Sequence, residues 1–64
     1  MTKGERIDKL RSMEDTIVRC MEELAHVRNE MEEMRMKSTA KKVDTVAGKL
    51  YDLAYEVEKR RNAQ

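Results

Sequence analysis

The chain of 64 residues has no proline, phenylalanine or tryptophan, and it has only one cysteine and two glycines. A single cysteine excludes a disulfide framework within the chain, which is a common way of stabilising a domain this small. No apolar run approaches the 18 or more residues that a membrane-spanning helix needs. We therefore expect a cytoplasmic protein, in a reducing compartment, that gains its stability from association rather than from covalent links.

Charged residues are abundant instead, at 42% of the chain, and they nearly cancel to a net charge of +1. They alternate with apolar residues and do not form blocks, which is typical of solvent-exposed helices rather than of disordered segments. A net charge this small gives no argument for nucleic acid or for a membrane surface. We expect one all-α domain, residues 1–64, with a thin core.

The first half of the chain carries eight apolar residues at alternating spacings of three and four. This average period of 3.5 residues keeps one stripe of an α-helix facing a partner helix. We call the stripe the self-association seam, and in heptad notation it consists of Leu10, Ile17, Leu24 and Met31 at a, with Met13, Cys20, Val27 and Met34 at d. A helix of this kind needs another helix, from its own chain or from another, to cover the stripe.

Two helices are predicted from these patterns. Thr2 and Glu5 have the spacing of a capping box and predict that helix one begins there and runs over about residues 3–37. A second apolar stripe, out of phase with the first, predicts helix two over about residues 40–61. Its predicted hairpin core is Val43, Val46, Leu50, Leu53 and Val57. The phase shift matches no common heptad interruption, which favours a turn at about 38–40 and an antiparallel hairpin over one long bent helix.

The unequal helix lengths favour self-association. A helix two of about 22 residues covers only the later part of helix one, so the early apolar residues, from Ile7 through Leu10 and Met13 to about Ile17, are predicted to be exposed in a monomer. Covering it by a second copy gives a coiled-coil dimer or a four-helix bundle, and the pattern leaves dimer and tetramer open. A parallel dimer is favoured by three attractive g–e pairs, which are Lys9–Glu14, Glu23–Arg28 and Glu30–Arg35.

Residues with catalytic or metal-binding chemistry are sparse. Glu23 and His26 have the E-x-x-H spacing of di-iron bundles, but they fall at g and c, outside the seam, and the second stripe carries no acid. Cys20 has no base on its own helix face that would activate it as a nucleophile. The sequence therefore predicts no enzyme, no metal or other cofactor, and no small-molecule substrate.

Methionine and tyrosine side chains are the best candidates for contact with another protein. Methionine is flexible and polarizable, and tyrosine is enriched at interface hot spots. The candidates are Met21, Met36, Tyr51 and Tyr55. Gly48 lies on the same helix as the tyrosines and costs helix stability, for which close approach of another chain is one reason. We expect a small regulator, inhibitor or assembly factor that binds a protein.

A nucleic-acid-binding hairpin dimer is the alternative. Basic residues cluster near the predicted turn and at the end of helix two, and the candidates for phosphate contact are Lys41, Lys42, Arg60 and Arg61. No aromatic residues are interleaved with them for base stacking. A structural rod formed by one continuous coiled coil is a third interpretation, and it requires that no turn be present.

Overall fold

Two α-helices joined by a short turn make up the computed structural model, which describes residues 1–63. Helix α1 is Lys3–Glu33, and helix α2 is Lys37–Asn62. The helices pack against each other as an antiparallel hairpin, so the prediction of an all-helical, two-helix fold is confirmed. Neither α1 nor α2 has the combination of length and apolar character that crossing a membrane requires.

Helix α1 begins where the capping box predicts. The Thr2 backbone is extended, and its Oγ1 accepts a hydrogen bond from the Glu5 backbone N–H at 3.1 Å. This bond satisfies one of the amides that have no partner inside the first turn of a helix. The Glu5 carboxylate in the same turn also complements the positive end of the helix dipole.

The turn lies at residues 34–36, four residues earlier than predicted. Met36 donates its N–H to the Met31 carbonyl at 2.8 Å, and Arg35 donates to the Glu32 carbonyl at 3.0 Å. These two bonds form a Schellman motif, which closes a helix through a residue in the left-handed conformation. That residue is Arg35, with φ of 61°. Because glycine usually occupies this position, the arginine gave no signal of a turn.

The packed stripe of α1 is rotated relative to the predicted seam. Half-buried positions recur at spacings of three and four, but they are the a and e positions of the heptad: Ile7, Leu10, Glu14, Ile17, Met21, Leu24, Arg28 and Met31. The matching positions of α2 are Ala40, Val43, Ala47, Leu50, Ala54, Val57 and Arg61. Val46 and Leu53, which were predicted to lie in the hairpin core, are instead exposed on the flank of α2.

Helix α2 reaches farther back along α1 than predicted, because the earlier turn lengthens it to 26 residues. Arg61 near its end contacts Glu14. Ile7, Leu10 and Ile17 are consequently half-buried, although the sequence predicted that they would be exposed. In this part of α1, the seam residue that remains exposed is Met13, at a d position.

The hairpin encloses almost no core. Ala40, at 3% exposure, is the only residue that is buried within 1–63. The radius of gyration is 14.9 Å, against about 11 Å for a compact domain of this length. The molecule is a rod with backbone dimensions of 49 × 14 × 13 Å, one helix pair thick. Both broad sides of the rod therefore remain open to solvent or to a partner.

Candidate interaction surfaces

Two ion pairs link the helices. Arg61 Nε donates to Glu14 Oε2 at 2.6 Å, and its Nη2 lies 3.5 Å from Oε1, with both side chains less than a third exposed. Nearer the turn, Arg28 Nε lies 3.4 Å from Asp44 Oδ1, and this pair is more exposed. The Glu14–Arg61 pair connects the early part of α1 to the end of α2. The Arg28–Asp44 pair connects the late part of α1 to the beginning of α2.

These ion pairs compete with the charge pairs predicted for a parallel helix-one dimer. That prediction assigned Glu14 and Arg28 to lysine and glutamate residues of a second copy. Within the hairpin both have partners on α2, and Arg35, the third e-type charge, lies in the turn. The a positions are also half-covered by α2. The flanks of the hairpin are therefore the surfaces that remain open for contact with another chain.

One flank of the hairpin is apolar along its middle part, and Arg6 and Arg60 lie beside Met13 at the end away from the turn. Met13 and Leu53 line the same shallow groove, and heptad spacing carries the neighbouring positions along the same side. We call this surface the Cys20 face, and it consists of Met13, Cys20, Val27, Val46 and Leu53. Its four non-cysteine side chains are each 41–50% exposed, and the Cys20 thiol is free and exposed.

The structure thus divides the predicted self-association seam. The a residues Leu10, Ile17, Leu24 and Met31 border α2, whereas Met13, Cys20 and Val27 at d lie on the Cys20 face. Met34, the last d residue, is the C-cap of α1 and is 72% exposed. The a residues of the predicted seam therefore face α2, whereas its d residues face away from α2 and are not covered by it.

The opposite flank holds both tyrosines. Tyr51 and Tyr55, at 65% and 57% exposure, share a groove with apolar side chains and two glutamates. We call it the tyrosine groove, and its lining is Glu14, Val18, Met21, Tyr51, Ala54, Tyr55 and Glu58. The Lys59 ammonium lies 5.6 Å from the centre of the Tyr55 ring, within the range of a cation–π contact.

Three of the four residues predicted to bind a partner come together in this groove. Met21 joins the two tyrosines, whereas Met36 lies apart from them in the turn. The sequence interpretation missed Val18, which is 47% exposed. Val18 could have been found in the sequence as an apolar residue that lies outside the heptad stripe. A β-carbon added at Gly48 would meet nothing within 4 Å, so packing within the hairpin does not require glycine there.

The basic residues of the nucleic-acid alternative lie at opposite ends of the rod. Arg61 is committed to Glu14, and Arg60 lines a groove with Met13 at the end away from the turn. Lys41, near the turn, lines a groove that also contains Glu32 and Asp44. Lys42 is exposed. The four residues do not form one continuous basic surface.

Glu23 and His26 are both exposed on α1. Within the described residues 1–63, no group of three or more histidine, cysteine, aspartate or glutamate residues is arranged to hold a metal ion. Comparisons of the chain with known protein families, with curated proteins and with solved structures find no match. A function is therefore argued from the two flanks of the hairpin.

Proposed function

We propose that this chain is a small, non-enzymatic protein–protein interaction module that homodimerises through helix one and binds a protein partner. The observation that supports the proposal is a hairpin whose described part buries only Ala40 and leaves apolar side chains on both flanks. Small monomeric proteins seldom leave so much of their apolar surface uncovered, and extended apolar patches are typical of interaction sites. Its role would be that of a regulator, inhibitor or assembly factor.

The tyrosine groove is the proposed site for the partner. Tyrosine combines a large apolar ring with a polar hydroxyl, so it contributes strongly to binding when a partner covers it. Met21 adds a side chain that adapts to the shape of the partner. Glu58 at the rim favours a partner that carries basic residues next to its apolar anchor, since complementary charge aids specific association.

The proposed location is the cytoplasm. The Cys20 thiol is free and exposed, and the chain contains no second cysteine with which it could pair. Exposed unpaired thiols are typical of reducing compartments, where they are kept from forming disulfides between chains. The Cys20 face would then be available for non-covalent association.

Partner capture with matched variants tests the proposal. The tagged wild-type protein, Tyr51→Ala and Lys41→Ala would be incubated with nuclease-treated lysate of the source cells at physiological and at high salt. We expect a protein to be retained by the wild type and by Lys41→Ala at both salt concentrations and to be lost with Tyr51→Ala. Both substituted side chains are exposed, so neither removes a core contact.

The contrary result is equally specific. Retention of nucleic acid without nuclease, falling steeply with salt and reduced by Lys41→Ala but not by Tyr51→Ala, would support the nucleic-acid alternative. Equal capture of a protein by wild type and Tyr51→Ala would contradict the tyrosine groove as the binding site.

A further inference from the structure

We propose that the Cys20 face is the docking surface for a second copy of this chain, so that two hairpins form a four-helix bundle. The inference rests on the homodimerisation proposed above and names the surface that performs it. In this arrangement the d residues of α1 and the matching residues of α2 contact the partner hairpin. The a residues of the seam would contact α2 of their own hairpin on one side and border the contact between the two hairpins on the other.

The missing core is the first argument for a second copy. Leu10, Ile17 and Leu24 are half-buried, and Leu10 and Ile17 line grooves together with Met13 of the Cys20 face. A helix in a bundle needs an apolar stripe about as wide as the a, d and e positions together. In α1, α2 covers only the a and e side of that stripe. A second hairpin on the Cys20 face would cover the d side and complete the core.

The size of this side of the rod and the composition of its centre fit a stable dimer. The whole side, 49 by 14 Å, has an area on the order of 700 Å², close to the roughly 800 Å² per partner of a standard protein interface. The Cys20 face is the apolar middle of this side and spans about 21 Å along α1. All five residues of the Cys20 face are uncharged, and the arginines on the same side, Arg6 and Arg60, lie at its end, where a charged rim is common in interfaces. The tyrosine groove, by contrast, includes Glu14 and Glu58, whose charges a dry self-contact would have to remove from water.

Charges along the two edges of the Cys20 face are arranged in opposite order. On α1 the g positions run from Lys9, near the helix start, to Glu23 and Glu30, near the turn. On α2 the corresponding positions run from Lys42 and Lys49, near the turn, to Glu56, toward the other end. All six side chains are exposed. The α1 edge is therefore negative near the turn, where the α2 edge is positive.

This opposite order makes the face complementary to itself. If both turns lie at the same end of the bundle, the α1 edge of one copy runs along the α2 edge of the other, and Glu23 and Glu30 approach Lys49 and Lys42. If the turns lie at opposite ends, Lys9 approaches Glu30 and Lys49 approaches Glu56. A two-fold dimer repeats each contact. Both arrangements bring unlike charges together along the edges of the apolar centre, as expected for a surface that binds its own copy. Only the second keeps Arg6, Lys9 and Arg60 of one copy away from the same residues of the other.

Two valines on opposite flanks of α1 give a matched test. Val27 lies on the Cys20 face and is 41% exposed, and Val18 lies in the tyrosine groove and is 47% exposed. Val27→Glu and Val18→Glu are the same chemical change at similar exposure, so the hairpin itself should tolerate them alike. Sedimentation equilibrium in reducing buffer, over a wide range of protein concentration, would measure the association constant of each protein.

We expect the wild type and Val18→Glu to sediment at twice the chain mass of 7.6 kDa. Val27→Glu should weaken association by at least about tenfold, since it places a charge in an apolar interface. Equal association of all three proteins, or weakening by Val18→Glu alone, would overturn the Cys20 face and leave homodimerisation standing. A monomeric wild type would overturn both.

Thiol labelling of the wild type provides a second readout that needs no variant to fold. The rate of Cys20 modification by a thiol reagent should fall as protein concentration rises through the dimerisation range. A labelling rate that stays constant while sedimentation shows a dimer would place the interface elsewhere and overturn the proposal.

Discussion

Glu14 and Arg61 lie 47 positions apart in the chain and form a two-pronged ion pair across the end of the hairpin away from the turn, with a shortest distance of 2.6 Å. The Arg61 side chain is 26% exposed and the Glu14 side chain 19%. Charge-assisted hydrogen bonds of this geometry are stronger than neutral ones, and partial removal from water reduces their screening. The pair therefore holds the end of α2 against the early part of α1.

A double-mutant cycle with Glu14→Gln and Arg61→Gln should give a coupling energy of about 1 kcal/mol. The pair is less exposed than the surface ion pairs that typically contribute between 0.2 and 1 kcal/mol. Urea unfolding of the four proteins, followed by circular dichroism at one fixed protein concentration, measures this coupling.

The Arg28–Asp44 pair serves as the control because it is longer, at 3.4 Å, and more exposed, at 37% and 54%. Its cycle, with Arg28→Gln and Asp44→Asn, should give a coupling of less than about 0.5 kcal/mol that disappears in high salt. Equal coupling in the two cycles would contradict the special role given to Glu14 and Arg61.

Arg35→Gly should stabilise the hairpin by about 1 kcal/mol. Arg35 has φ of 61°, a conformation that costs an L-residue roughly 1–2 kcal/mol and costs glycine almost nothing. Met36→Gly is the control, because Met36 has φ of −90° and gains nothing from glycine. Thermal unfolding would measure both. A lower stability of Arg35→Gly would show that the arginine side chain makes a stabilising contact that outweighs the backbone cost.

Gly48→Ala should stabilise α2 by about 0.5–1 kcal/mol. An exposed glycine inside a helix costs conformational entropy, and an added β-carbon at this position meets nothing within 4 Å. Urea unfolding would measure the gain, and Gly4→Ala, in the first turn of α1, should give a smaller one. If Gly48→Ala also abolished partner capture, Gly48 would be a site of close approach by the partner.

Ala40→Leu should destabilise the hairpin by about 1–3 kcal/mol. Ala40 is 3% exposed, in the first turns of α2, and a larger side chain there would push the helices apart next to the turn. Ala25→Leu, at an exposed position of α1, makes the same change without that constraint and should be nearly neutral. Similar unfolding midpoints for the two variants would contradict tight packing at Ala40.

The two helices could be predicted from the sequence, but the way in which they face each other could not. Stripes at spacings of three and four identified both helices, and Thr2 identified the start of the first. Such a stripe does not decide whether its d side or its e side faces the second helix. Met21 and Ile7, both apolar at e, were the signal for the rotation that the structure shows. The Glu14–Arg61 pair depends on that rotation.

The turn and the partner surface show the same limit. Arg35 occupies a conformation that usually selects glycine, so composition placed the turn too late. Tyr51, Tyr55 and Met21 could be chosen from residue type alone. Tyr51, Tyr55 and Met21 line one groove because of the way α2 is aligned along α1, which the sequence did not show. Val18, which was missed, lines the same groove for the same reason.

The central claim is that two copies of this hairpin complete one core, and the dependence of thermal unfolding on protein concentration tests it most directly. When folding is coupled to dimerisation, mass action stabilises the folded state by about 2.7 kcal/mol for each hundredfold rise in concentration above the dissociation constant. We therefore predict a Tm that rises by about 10 °C over that range. A Tm that stays constant, with a sedimenting mass of one 7.6 kDa chain throughout, would contradict the account.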